Sequence, residues 1–183
     1  MRDGGEHLRE YASAVHKIDE TVQALGVRAA DALSCRRGCS SCCAPGLTVL
    51  PVEAAAIRAE LAARPLAAFE AMPGHCAFLD VEGACVIYGV RPVLCRTHGL
   101  ALKVLEQERE VRPGLHVVDD VSTCALNYTE RGPLPAEILD VTKVLMLLTV
   151  VDRRFRELTG APDARTPLAS LAPTPSLRLA KRI

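Results

Sequence analysis

The chain has 183 residues, 49% hydrophobic and 3% aromatic, and its 22 Lys and Arg balance 22 Asp and Glu. That is one domain's length, with an apolar surface supplied mainly by Ala and Leu, which favour helix. Zero net charge and the lack of a basic stripe with interleaved aromatics argue against nucleic acid, or a membrane surface recognised by bulk charge, as partner.

The first helix is expected over 4–33. Asp3 and Glu6 fit a cap at its start. Leu8, Tyr11, Val15, Ile18, Val22 and Leu25 recur at steps of three and four, the stripe of an amphipathic helix packed on a core. Gly26 marks one possible end and Leu33 another.

Cys35, Cys39, Cys42 and Cys43 follow within nine residues, closed by the turn signal Pro45-Gly46. Leu47–Leu50 suits a short extended piece. Pro51 fits the first position of a helix running through Ala63, with Glu53 in its first turn, and Pro65 stops it. A shorter helix is expected at Leu66–Met72.

Residues 75–99 are loop-rich. They carry Cys76, Cys85 and Cys95, with a strand pair expected around Ala77–Leu79 and Cys85–Ile87. Pro92 is expected to open a helical turn that carries Cys95. Residues 100–121 suit a two-stranded hairpin, with a helix at 100–110 as the rival, and Cys124 returns the chain to the cysteine region.

The last helix is expected over 135–158. Ile138, Val141, Leu145, Leu148, Val151, Phe155 and Leu158 mark one face, and Val144, Met146, Leu147 and Val150 widen it. A helix apolar around most of its circumference belongs inside a core or at a subunit interface. Gly160 and Pro162 stop it, and residues 161–183, with four prolines, suit a loosely packed or mobile tail.

The expected fold is mainly α: one small helical metal-binding domain over 1–160, with a cysteine-rich core motif at 35–128 and one short β-hairpin, then the Pro-rich tail. The N-terminus has no secretory h-region. The most apolar run, Val144–Val151, is far shorter than the roughly 20 residues of a bilayer span. A cytoplasmic protein is expected, and in that compartment thiols stay reduced. Eight cysteines there point to metal or redox chemistry rather than disulfides.

Thiolates suit zinc or iron, usually four per centre, and spacings of two or three residues let sulfurs converge while the backbone turns. Gly38 suits such a turn. Cys42 and Cys43 are adjacent, so their side chains diverge, and two centres or one centre with spare thiols both remain open. The candidate ligands are Cys35, Cys39, Cys42, Cys43, Cys76, Cys85, Cys95 and Cys124, with His98 a weaker candidate. Arg91 and Arg96 either offset thiolate charge or pair with Asp80 or Glu82. No phosphate loop, dinucleotide fingerprint or hydrolase motif is present.

These cysteines resemble the YkgJ-type cysteine-cluster family, the zinc- or iron-chelating domain named for CxxCxxCC. The resemblance rests on Cys39-Ser40-Ser41-Cys42-Cys43 with Cys35 upstream, on Cys76-Ala77-Phe78-Leu79, and on Cys85-Val86-Ile87-Tyr88. It continues through Arg91-Pro92, Cys95-Arg96 and Cys124-Ala125-Leu126-Asn127. Cys35 and Cys39 are separated by three residues where the family name has two. The resemblance implies chelation through cysteines and transfers no catalytic residue. The expected cofactor is an iron–sulfur cluster or Zn2+. The functions it leaves open are redox or electron-transfer chemistry with a redox partner, a zinc-stabilised structural or protein-interaction module, and metal handling without catalysis.

Overall fold

A computed structural model of the protein describes residues 4–36, 38–67, 69–103, 115–118 and 120–173. In chain order the elements are α1 (Gly4–Arg28), β1 (Thr48–Val49), α2 (Pro51–Ala63), α3 (Val93–Thr97), β2 (Ala101–Lys103), β3 (Leu115–Val118), β4 (Val121–Cys124), β5 (Ile138–Asp140), α4 (Val141–Thr159) and β6 (Thr166–Pro167). The fold is mainly α with a few short strands. No helix among the described residues is long and apolar enough to cross a membrane.

The stripe of α1 does what its spacing implies. Tyr11, Val15, Ile18 and Leu25 are buried against Val141, Val144, Leu148 and Phe155 of α4, with Val52 of α2 in the same core. Each such side chain contributes roughly 1.5–3 kcal/mol of burial. The helix ends at Arg28, short of Leu33, and beyond it the Ala32 carbonyl accepts from the Tyr128 N–H at 2.8 Å. Asp3, the expected cap, lies outside the described residues.

Pro51 opens α2 as expected, and Glu53 Oε2 accepts the Leu50 N–H at 2.9 Å. The expected helix at Leu66–Met72 is absent among the described residues. Ala71 instead bridges Asp80, with Met72 N–H donating to Leu79 O and Val81 N–H to Glu70 O. The strand pair at 77–79 and 85–87 shrinks to one bridge, Leu79 with Cys85, beside a bond from Val86 N–H to Phe78 O.

The expected hairpin is replaced by a four-stranded sheet in the order β3-β4-β2-β5. The hairpin partner of β3 is β4, with Val118 opposite Val121. Asp120 turns the chain there at φ 64, a left-handed conformation that Asp tolerates. On its other side β4 pairs with β2, and β2 runs parallel to β5, Leu102 opposite Leu139. The rival helix at 100–110 fails over Ala101–Lys103, and 104–110 lie outside the described residues.

The last helix begins at Val141 rather than Pro135. Residues 135–137 form a single 3-10 turn, Ile138–Asp140 are drawn into the sheet, and Asp140 Oδ1 then caps α4 by accepting the Thr142 N–H at 3.1 Å. The expectation that α4 is buried around most of its circumference is also corrected. Met146 and Val150 are each 66% exposed, because α1 and α2 cover only the face of Val144, Leu148 and Phe155. Gly160, at φ 72, ends the helix.

Residues 161–173 are not a loose tail. β6 pairs antiparallel with β1, and Leu168 and Leu171 are buried in a second apolar cluster with Val49, Ile57, Phe78 and Ile87. Residues 174–183 lie outside the described residues.

Candidate metal centre

The cysteine loop after α1 is built from two tight turns. Cys39 N–H donates to Arg36 O at 3.0 Å, and Cys43 N–H to Ser40 O at 2.9 Å. Gly38, at φ 84, supplies the reversal expected of it. The Cys76 N–H then donates to Cys43 O at 2.9 Å, which lays the 75–85 loop against the first. Cys85 sits at the bridge with Leu79, and Cys76 and Cys85 pack on the second apolar cluster.

α3 brings Cys95 to the same place. Its first N–H, on Val93, donates to Glu53 Oε1 at 2.9 Å. One buried carboxylate therefore anchors the starts of both α2 and α3, and its burial raises its pKa. Cys124, at the end of β4, is buried.

Seven of the eight thiols line one cavity of about 970 Å3: Cys35, Cys39, Cys42, Cys43, Cys76, Cys85 and Cys95. Cys35, separated from Cys39 by the longer spacing, is among them. Phe78, Leu79, Ile87 and Leu168 supply apolar wall, and His98 also lines the space. His75 is exposed, with Nδ1 on Pro73 O, and His16 is exposed beside Glu20.

Among the described residues no three His, Cys, Asp or Glu side chains are gathered closely enough to hold an ion. The thiols line the wall rather than meeting at a point. As a donor set they fit a soft metal or an iron–sulfur cluster, because thiolate sulfur is the ligand both take.

The electrostatics differ around the wall. Burial, then the neighbouring charges of Cys76 and Cys85, push Cys95 up to about 12. Burial also raises Cys85, with Arg91 opposing. The Cys43 thiol hydrogen-bonds the Cys42 sulfur, holding Cys42 below the usual thiol range with help from Arg91, while Cys43 is pushed up. Cys35 is exposed at the cavity mouth, yet enough protein crowds it to raise its thiol against the Asn127 hydrogen bond.

The two arginines divide their work. Arg96 is consumed by structure: it donates to Asp19 at 2.6 Å, Gly89 O at 2.7 Å and Arg91 O at 2.9 Å. Arg91 lies 3.7 Å over the Tyr88 ring and is the cation that helps hold Cys42 down and opposes the rise of Cys85. Neither pairs with Asp80, which accepts the Glu82 and Ala84 N–H groups in its own turn.

Asn127 is the site residue that spacing arguments missed. It is 4% exposed. Its Nδ2 donates to Cys35 Sγ at 3.2 Å and to Gly99 O at 2.6 Å, and its Oδ1 accepts the Ser34 N–H at 2.8 Å. It ties the loop of Cys35 to the turn that follows Cys95. Its position three residues after Cys124 was the signal that could have found it. Gly99, at φ 96, allows the approach: a Cβ there would lie 2.8 Å from Cys35 Sγ.

Residues 34–114 match the model of the CxxCxxCC family, described as "Putative zinc- or iron-chelating domain". No curated protein and no solved structure matches the chain. The matched segment spans Cys35 to Cys95 and so takes in the seven thiols of the cavity.

Proposed function

We propose that the protein holds iron, as an iron–sulfur cluster, on the thiolates of this cavity and serves redox or electron-transfer chemistry with a redox partner. The observation that carries the reading is the cavity itself: seven thiols share about 970 Å3. A structural zinc site is closed around four ligands. A space of this size has room for a cluster, and Arg91 offsets negative charge on the sulfurs of Cys42 and Cys85. A cluster bound there would supply one-electron transfer. The chain's own residues would set its environment: Asn127 donates to Cys35, and Arg91 offsets charge near Cys42 and Cys85.

The test is elemental analysis with an absorption spectrum on protein purified without oxygen. Iron with acid-labile sulfide, and broad bleachable absorption near roughly 400 nm, is the expected outcome. A colourless protein carrying zinc would overturn the redox reading in favour of a zinc-held scaffold.

A further inference from the structure

We infer that α4 is a self-association helix: two copies of the chain pair through its outward face, antiparallel, about a two-fold axis at Val150. The inference goes beyond the metal reading and holds whichever metal the cavity takes.

The outward face is apolar where a solvated helix is polar. Met146 and Val150 are each 66% exposed, Leu158 50% and Leu147 38%. Nine large apolar side chains are left exposed among the described residues, and these four fall on one helix. They follow one another at helical steps, so they form a stripe rather than scattered singles, and a contiguous stripe marks an interaction surface. The opposite face of α4 is the one that α1 and α2 cover, through Val144, Leu148 and Phe155.

The charges bordering the stripe choose the occupant. Lys143 and Glu157 are both exposed. Each lies seven residues from Val150, nearly two full turns, so the three share one line along the helix. In an antiparallel pair centred on Val150, Lys143 of each copy stands opposite Glu157 of the other, and the two-fold axis makes the contact twice. A parallel pair would set Lys143 on Lys143 and Glu157 on Glu157, which like-charge repulsion disfavours. Within its own chain Lys143 reaches Asp140 at 3.7 Å, a long pair. Glu157 has no ion-pair partner among the described residues.

The remaining charges fit the same register. Arg153 and Arg154 stand opposite Leu147 and Met146 of the second copy, where arginine stems cover apolar surface while their heads stay in water. Arg154 is held by Glu10 of its own chain at 3.3 Å, so its charge is partly offset. No like charges oppose one another in this register. Because the same patch is used on both copies, the pair closes as a dimer and does not propagate.

The experiment is sedimentation velocity on full-length protein purified without oxygen, from roughly 1 to 100 μM, the range of a weak protein dimer. The wild-type chain should be a dimer at the upper end and dissociate on dilution. Val150→Glu brings two carboxylates together on the axis and should leave a monomer throughout. Its circular dichroism and metal content should match the wild type, because the position is exposed. Lys143→Glu should weaken the dimer about tenfold or more, and adding Glu157→Lys to it should restore the pairing. A wild-type chain that stays monomeric at the highest concentration would overturn the inference and leave the face to a different partner. A dimer indifferent to Val150→Glu would place the interface elsewhere and overturn it equally. Weakening by Lys143→Glu with no rescue in the double variant would refute the antiparallel register.

Discussion

Asn127 and Gly99 show how single residues condition the cysteines. The amide is saturated by one thiol, one carbonyl and one N–H, so it is a strut rather than a reactive group. Gly99 is needed twice, for its φ of 96 and for the space a Cβ would take from Cys35 Sγ. Gly99→Ala should therefore cost roughly 1–3 kcal/mol in urea unfolding, from backbone strain and overpacking together. A cost near zero would mean that Cys35 swings freely. The cysteine pattern made the thiols legible, but a clamp that acts through tertiary contact leaves no local spacing to read.

At the scale of elements, the helices are joined by buried carboxylates as much as by apolar faces. Asp152 of α4 accepts the Val52 N–H at 3.1 Å and pairs with Arg156 at 2.9 Å. Asp152→Ala orphans a fully buried N–H and should cost about 2–3 kcal/mol, with an unchanged urea m-value. The exposed-side cap at Asp140 is the weaker link, and Asp140→Ala should cost about 1 kcal/mol. Beyond the end of α1, Arg131 joins Asp31 to Glu137 and holds both carboxyls below their usual range. A depressed carboxylate stabilises the fold above its unfolded pKa of about 4, and that stability is lost as pH falls through the lower folded value. Arg131→Met should flatten the acid limb of stability against pH; an unchanged limb would show that these pairs are screened. The stripe of α1, Pro51 and Gly160 were legible because periodicity and stop residues are local. The start of α4 was not, since Ile138–Asp140 alternate well enough for either state and the open edge of β2 decided between them.

Across the whole molecule the two apolar clusters depend on the cysteines unequally. The α1–α4 core contains no cysteine, whereas Cys76 and Cys85 pack directly on the cluster of Phe78, Ile87 and Leu168. Ligation free energy is folding free energy where ligands are gathered from separate loops. Removing metal with a chelator under reducing conditions should therefore strip hydrogen-exchange protection from residues 76–95 and from β1 and β6 before α1 and α4 lose theirs. Simultaneous loss everywhere would show that metal holds the whole fold, and no loss anywhere would show that the cysteines stabilise nothing.

The sequence by itself determined the donor set and the helices: eight thiols, four of them within nine residues, three long amphipathic or strongly helical stretches, and no apolar run as long as a bilayer span. Those properties depend on residue type and near-neighbour spacing. Only the tertiary structure decided that Cys35 shares a cavity with Cys95, that β4 separates β3 from β2, that residues 161–173 close the second cluster, and that Arg96 is taken up by Asp19 and backbone carbonyls while Arg91 offsets charge on Cys42 and Cys85. Periodicity says which face of an element is apolar, but what that face meets is set by contacts between distant segments, where packing and buried hydrogen bonds choose among partners of equal local merit.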